Sequence, residues 1–218
     1  MRLASLAAMT SRQQNRPNPA RRSEASRQAI LTAAFDLVGE VGYARLSIEG
    51  IAARAGVGKQ TIYRWWPSKG AVLFDALLTL AAQGSDDATG AADAALPDTG
   101  DLERDLKTVL RATVEELTDP RLDGMMRALS VEIITDPALA ALYAERLDGP
   151  MRKLKLARLR SAQQAGQLPQ DTDLDLAVDM LWGVLRTTWL DRSRPLTAEY
   201  ADLLVRTALN GLRGPAHR

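Results

Sequence analysis

The segment VGKQTIYRWWPSKG, residues 57–70, carries the clearest binding chemistry in this sequence of 218 residues. It holds three cations and no acid, together with hydroxyl groups, an amide and two adjacent tryptophans. Lysine, arginine and glutamine side chains can pair with base edges, whereas hydroxyls and ammonium groups commonly hold phosphates. The segment therefore offers hydrogen bonds that suit a nucleic acid.

A helical conformation of this segment would divide its side chains into two groups. Val57 and Ile62 would pack inward, which leaves Lys59, Gln60 and Arg64 facing outward toward base edges. A second group could hold phosphates: Ser47, Thr61, Tyr63, Ser68 and Lys69. The alternative is an ordinary helical hairpin whose polar face is simply solvated.

Residue types that most enzymes need are missing. The sequence has no cysteine, and its one histidine, His217, is the penultimate residue. Disulfides, thiolate or histidine metal sites, cysteine nucleophiles and Ser-His-Asp triads are therefore excluded. No apolar run reaches the ~18 residues that a membrane span needs, and the amino-terminal apolar stretch is too short for a signal peptide. We predict no catalytic residue, no metal, no cofactor and a cytoplasmic protein.

Charge is distributed unevenly along the chain. Residues 1–80 contain 11 Lys/Arg and 5 Asp/Glu, a net charge of +6, whereas residues 81–218 have a net charge of −5. A basic first third favours a polyanionic partner, of which nucleic acid is the commonest. A chance distribution of charge is the alternative.

The elements that position the basic segment are helices with start and stop signals. Apolar residues between Ser23 and Val41 recur at the spacing of an amphipathic helix. Ser47 can cap a second helix, and Gly56 can end it in a left-handed turn. Residues 47–65 therefore predict a helix, a tight turn and a short helix, which is the pattern of a helix-turn-helix.

The tryptophans fall at the end of this pattern. Pro67 keeps Trp66 out of the helical conformation, and Ser68 can cap a fourth helix. Trp66 is predicted to fold inward, and Trp65 to face outward, where its indole N–H can donate. The alternative for Trp65 is a second packing residue. Glu49 would repel phosphate if it faced DNA, so we expect it to be turned aside.

The rest of the chain also reads as helical. We predict a disordered basic arm over residues 1–22 and a flexible connection over residues 83–100, which are small, acidic and rich in glycine and proline. Asp-Pro and Gly-Pro pairs predict helix starts at Pro120, Pro137 and Pro150. The fold class is all-α, with about nine helices.

The sequence from Arg27 to Leu80 resembles the DNA-binding domain of the TetR family of bacterial transcriptional regulators. The shared pattern comprises Ile51-Ala52, Ala55-Gly56-Val57, Thr61-Ile62-Tyr63, Trp65-Trp66 and Ser68-Lys69. The resemblance implies an N-terminal three-helix helix-turn-helix domain over residues 23–82. It also implies that Lys59, Gln60 and Arg64 read bases. The phosphate contacts that it implies are Ser47, Thr61, Tyr63, Trp65, Ser68 and Lys69.

Residues 101–214 are similar, less specifically, to the regulatory and dimerisation domain of that family. The resemblance implies a homodimer, in which the nearly all-apolar helix 173–190 and the striped helix 197–212 form a four-helix bundle. The alternative is a monomer that buries both helices within itself. The predicted partners are a double-stranded palindromic DNA operator, a second copy of the chain and an unknown small-molecule effector, with no membrane.

The effector site is predicted from adaptable or aromatic side chains in the middle and later helices. The ligand-binding candidates are Met125, Met126, Met180, Trp182, Arg186 and Trp189, with Met151 as a further candidate. Each of these residues could instead be plain core. Glu132, Asp179 and Arg186 lie in apolar stretches and could orient a ligand, pair with each other or lie at a dimer interface.

Three functions are compatible with these patterns. The leading hypothesis is a homodimeric, ligand-responsive repressor. The second is an α-helical small-molecule carrier or enzyme that retains a vestigial helix-turn-helix, and the third is a helical protein whose basic face meets an acidic partner. Selection of bound fragments from genomic DNA would separate the three.

Overall fold

The computed structural model describes residues 19–85 and 95–213, and within these ranges every regular element is a helix and no strand occurs. The chain divides into two compact units, Met1–Ala76 and Leu77–Arg218. Of the predicted arm and connection, residues 1–18 and 86–94 lie outside the described ranges.

The first unit is built from α1 and a short helical cluster. Its elements are α1 (Pro19–Val41), a 3-10 turn (Tyr43–Arg45), α2 (Ile48–Ala55), α3 (Lys59–Tyr63) and the start of α4 (Lys69–Ser85). α1 begins four residues before the predicted Ser23, so the last residues of the predicted arm are helical. Ile30, Ala34 and Val38 recur every four residues on α1 and are all buried, as the amphipathic spacing predicts.

Eleven α-helical segments, four of which are joined in pairs by π-helical turns, form nine continuous helices in the described residues, in agreement with the predicted all-α fold. In the second unit, two helices each contain a π-helical turn. The segments are α5 (Leu102–Thr118), α6 (Pro120–Thr135), α7 (Pro137–Tyr143), the first π turn (Ala144–Asp148), α8 (Gly149–Gln164), α9 (Leu174–Val178), the second π turn (Asp179–Gly183), α10 (Val184–Asp191) and α11 (Ala198–Arg213).

Helix starts at Pro120 and Pro137 are confirmed, but the predicted start at Pro150 is wrong. The helix that begins at Pro137 continues through the first π turn into α8 without a break. A Cβ atom at Gly149 would lie 2.8 Å from the carbonyl oxygen of Ala144. The glycine is therefore required by close backbone approach within the π turn, and it does not end the helix.

The core of the second unit is apolar and joins α5, α8, α9, α10 and α11. A buried ion pair supplements it, since Arg158 Nη2 lies 2.7 Å from Asp105 Oδ2. Arg158 Nε also donates to the carbonyl of Pro97, and the backbone N–H of Thr99 donates to Asp105. The end of the predicted flexible connection, around Thr99, is thus fixed by hydrogen bonds. No helix in the described residues is both long and apolar enough to span a membrane.

Candidate nucleic-acid interface and second-unit cavity

The α2–α3 hairpin is set by two local signals. Ser47 adopts an extended conformation at the start of α2, and its Oγ accepts a hydrogen bond from the backbone N–H of Gly50 at 3.0 Å. Gly56 ends α2 in the left-handed conformation at φ 66°, which L-residues resist. After Gly58 the chain enters α3 at once, so the two helices are joined by a three-residue turn. This is the tight turn that the sequence predicts.

α3 presents one buried residue inward and a polar face outward. Ile62 is fully buried, Val57 and Thr61 are half-buried, and Lys59 and Gln60 are exposed. Tyr63 is 51% exposed. The described geometry thus brings most of the predicted contact residues of α3 to one accessible surface, although Thr61 is only partly accessible.

Lys59 does not stand alone on this surface. Its Nζ lies 2.6 Å from Glu49 Oε1 on α2, and both side chains are exposed. The hydrogen bond with Glu49 raises the pKa of Lys59, and the same bond lowers the pKa of Glu49. The expectation that Glu49 is turned aside is wrong, because the ammonium attracts the carboxylate across the two helices. The opposite charges of Glu49 and Lys59, ten residues apart across a tight turn, are the sequence signal that indicates this pair.

The two tryptophans face opposite environments. Trp66 is 5% exposed, and its Nε1 donates to Asp75 Oδ2 at 3.1 Å, so it is the inward-facing residue. Trp65 is 40% exposed and lies beside Arg64, whose guanidinium carbon is 5.8 Å from the ring centroid of Trp65. Arg64 follows the last residue of α3, so it extends the polar face beyond the helix.

Ser68 and Lys69 begin α4 as predicted, but Lys69 has an internal role as well. Ser68 Oγ accepts from the backbone N–H of Ala71. Lys69 Nζ lies 3.1 Å from each of two carbonyl oxygens, of Tyr43 and Leu46, and 4.2 Å from the Tyr43 ring centroid. At most one of its three N–H donors is left for a phosphate, so the predicted phosphate contact competes with a structural role.

The second unit contains a cavity of about 250 Å³. It is bordered by both π-helical turns, which contribute Asp148, Asp179, Trp182 and Gly183. Turns of this kind occur frequently at functional sites. Four of the six ligand-binding candidates line the cavity, namely Met126, Trp182, Arg186 and Trp189.

Two predicted ligand residues are not among the lining residues. Met125 is 1% exposed and belongs to the packed interior, and Met180 is half-buried outside the cavity. Met151 is exposed, also outside it. Met125 and Met126 point in directions ~100° apart on α6, and Met126 is on the side that lines the cavity.

Charged side chains gather at one part of the cavity wall. Arg152 is held by Asp175 Oδ1 and Asp179 Oδ1, both at 2.8 Å. Lys155 Nζ lies 4.8 Å from the ring centroid of Trp182, and burial lowers the pKa of Lys155. Lys155 was missed in the sequence because α8 carries polar residues on most sides, and only the shared face of Arg152 and Lys155, three residues apart, could have indicated it.

Two regions of the chain match models of known protein families. Residues 96–208 match the family described as "Tetracyclin repressor-like, C-terminal domain". Residues 30–76 match "Bacterial regulatory proteins, tetR family". The chain belongs to the TetR family of bacterial transcriptional regulators. The relatives of this chain are transcriptional regulators and not enzymes.

Individual TetR-family relatives cover most of the chain. It is similar to the uncharacterized HTH-type transcriptional regulator YdeS of Bacillus subtilis, with 30% identity over 88% of this chain and 92% of that protein. It is also similar to regulator Mb1581 of Mycobacterium bovis, with 28% identity over 81% of this chain and 82% of that one. The crystal structure of the TetR family regulator SCO0332 superposes with a TM-score of 0.64 and 33% identity, covering 87% of this chain and 99% of that one.

Proposed function

We propose that this TetR-family regulator is a homodimeric repressor that binds a palindromic operator and is released from it by a small-molecule effector. The observation that carries the DNA-binding half of the proposal is the exposed polar face of α3, held by the tight turn at Gly56. In a helix-turn-helix, the second helix enters the major groove while the first crosses the backbone. α3 is the second helix here.

Roles on this surface follow from side-chain chemistry. Lys59, Gln60 and Arg64 are the proposed base readers, because guanine and adenine accept from such donors in the major groove. The proposed phosphate contacts are Ser47, Thr61, Tyr63, Trp65, Ser68 and Lys69. Two of the hydroxyls, on Ser47 and Ser68, also cap helices, so backbone N–H groups lie beside them and add to anion binding.

The dimer half of the proposal is supported by the last two helices. α10 and α11 bury apolar residues in the core of the second unit, yet they also leave Val184 and Leu203 exposed. A second copy of the chain would cover such residues. Two recognition helices then fit half-sites about one helical turn apart, ~34–36 Å, which one copy cannot reach.

The effector half is supported by the cavity of about 250 Å³ in the second unit, which combines aromatic walls with a few charged groups. Pockets for small molecules typically have this mixture. Because the cavity is bordered by two π-helical turns, a ligand that favours one arrangement of these turns can shift the population of the regulator's conformations.

Selection of bound fragments from genomic DNA by the purified protein tests the proposal. We expect enrichment of fragments that share a palindrome, and an affinity that falls steeply between 50 and 200 mM salt as phosphate contacts release counterions, by about 10³-fold or more if six phosphates are neutralised. Enrichment of no sequence over random DNA would contradict the proposal and favour a carrier with a vestigial helix-turn-helix. A salt-independent affinity would contradict it as well.

A further inference from the structure

Two cations of the cavity wall have no carboxylate partner. Among the residues that the structure describes, Lys155 and Arg186 form no salt bridge, whereas Arg152 is held by two aspartates. Lys155 is half-buried, with its ammonium above the Trp182 ring. The charges of Asp148 and Asp179 act on this ammonium without a salt bridge. An ammonium that is partly withdrawn from water and has no anion in direct contact is costly unless another group compensates it.

The charges on the cavity wall leave room for one anion. The lining contains three cations, Arg152, Lys155 and Arg186, and two carboxylates, Asp148 and Asp179, and a third carboxylate outside the lining, Asp175, also binds Arg152. Arg152 is saturated by Asp175 and Asp179, which leaves Asp148 as the carboxylate nearest to balancing the two unpaired cations. One carboxylate cannot neutralise both, so a monoanionic ligand would complete the balance.

The remaining wall suits a flat apolar body. Trp182, Trp189, Met126, Leu129 and Ile133 line it. Aromatic faces pack against flat rings, and methionine adapts to irregular shapes. A cavity of about 250 Å³ lies just below the usual range of pockets for drug-sized ligands, ~300–1,000 Å³, so it suits a small ligand of one or two fused rings.

We infer that the effector is a small aromatic monocarboxylate, whose carboxylate is bound by Lys155 and Arg186 and whose ring lies against the apolar part of the wall, formed by Met126, Leu129 and Ile133. The inference rests on the effector site of the proposed function, because it names the chemical class of the ligand that this site takes. The ammonium and the guanidinium supply charge-assisted hydrogen bonds, which are roughly twice as strong as neutral ones. A neutral ligand of the same shape leaves both cations unpaired.

Matched acids and amides separate the charge from the shape. Calorimetric titration of the full chain without DNA would compare 2-naphthoate with 2-naphthamide and indole-3-acetate with indole-3-acetamide. We expect at least one acid to bind at least tenfold more tightly than its amide, because each amide keeps the ring but loses the charge. Equal binding within both pairs, or no binding of either acid, would overturn the inference.

Two variants on α8 test whether Lys155 causes the preference for the acid over the amide. Lys155→Met should remove most of the preference for the acid, whereas Lys153→Met should retain it, because Lys153 is exposed and does not line the cavity. Thermal unfolding of each variant checks that the fold persists. If Lys155→Met keeps its fold and still prefers the acid as strongly as the parent does, the assignment of Lys155 is wrong. Should Lys155→Met fail to fold, Arg186→Gln at an exposed position serves as the second variant, with the same expected loss.

The titration is independent of DNA binding, so the two proposals can fail separately. If the protein selects no DNA fragment but prefers the acids, the carboxylate site is supported and the repressor function is contradicted. If it selects a palindrome but prefers neither acid, the repressor function stands and the ligand class is wrong. Release of the selected fragment by the preferred acid would show that ligand binding at the cavity controls DNA binding.

Discussion

Glu49 and Lys59 form an ion pair on the exposed face of the helix-turn-helix, and its value for folding is small. Exposed pairs are solvated and screened, so they contribute little to stability. The pair instead holds the ammonium of Lys59 in one position on the surface that is proposed to meet DNA. Glu49 also has the chemistry to accept from cytosine N4, the base that pairs with the guanine that Lys59 could read.

Replacing Glu49 tests whether the pair positions Lys59 for sequence recognition. Glu49→Gln should strengthen binding to random duplex DNA several-fold, because a carboxylate facing phosphates is removed, and should broaden the selected sequences at the position that Lys59 reads. Thermal stability should change little. Glu40→Gln is the matched control, because Glu40 is an exposed carboxylate paired with Arg54 at 2.7 Å. Unchanged selectivity in Glu49→Gln would count against a specificity role.

The adjacent tryptophans allow a crossed experiment. Trp66→Phe removes the Nε1 donor to Asp75 in a buried site, where Asp75 also accepts from Arg27 Nη2 at 2.6 Å. We expect the free energy of unfolding to fall by about 1.5–3 kcal/mol, as for other hydrogen bonds to a charged group. Trp65→Phe should leave stability unchanged and weaken DNA binding through loss of an indole donor. Denaturant titration and DNA-binding assays of both variants check this, and equal stability losses would contradict the assignment.

At the scale of the element, the turn between α2 and α3 depends on one left-handed residue. Gly56→Ala places a Cβ in open space but at φ 66°, so its cost is conformational and about 1–2 kcal/mol. Gly58→Ala also meets open space, but at φ −79°, which any residue adopts. Its loss of unfolding free energy should therefore be a small fraction of the loss in Gly56→Ala. Chemical unfolding of the two variants measures the difference. Similar losses would show that the turn does not need the left-handed conformation.

The elements also show which features the sequence could predict. Ser47 and Gly56 are local signals, and both predicted the ends of α2 correctly because capping and turn chemistry act over a few residues. The short helix before Pro67 ends at Tyr63, two residues before the predicted Trp65. Pro150 predicted a helix start wrongly, because proline also fits the first turn after a π-helical turn. The π turn itself has no signal in the sequence, because the close approach of Gly149 to Ala144 leaves no periodic pattern.

The cavity was predictable only in part. Trp182, Arg186 and Trp189 stood out as large or charged residues in an apolar helix, and all three line it. Met125 and Met126 could not be told apart, because side-chain direction depends on how the helix is rotated against its neighbours. For Lys155 the spacing from Arg152 is the one sequence signal, and its place at the cavity follows from the packing of α8 against α9.

At the scale of the whole molecule, the buried pair of Asp105 and Arg158 couples stability to pH. Burial by itself would raise the pKa of Asp105, but hydrogen bonds from Arg158 and Thr99 outweigh burial, and the pKa lies below its ordinary value. The pair therefore stabilises the fold fully above the unfolded pKa of ~3.9, and this contribution is lost as pH falls through the lower folded value.

Asp105→Asn tests that coupling. At pH 7 it should lower the free energy of unfolding of the second unit by about 3–5 kcal/mol, because Arg158 would be left buried without its anion. The difference from the parent should shrink as pH falls below ~4. Asp98→Asn is the control, because Asp98 is half exposed and its carboxylate is farther from Arg158, at 3.5 Å. This variant should lose far less unfolding free energy than Asp105→Asn. A pH-independent difference would contradict the account.

Two exposed apolar patches are alternative positions for the dimer interface. Leu203 on α11 is 51% exposed, whereas Ile134 on α6 is 80% exposed. If α10 and α11 form the interface, Leu203→Glu should place a charge in it, yield monomers by light scattering, and weaken binding to a palindrome at least a hundredfold while retaining helical content. Ile134→Glu should remain dimeric, because α6 would stay solvated. The reverse pattern would place the dimer interface on α6, and it would separate the recognition helices by a distance that the spacing of the selected half-sites reports independently.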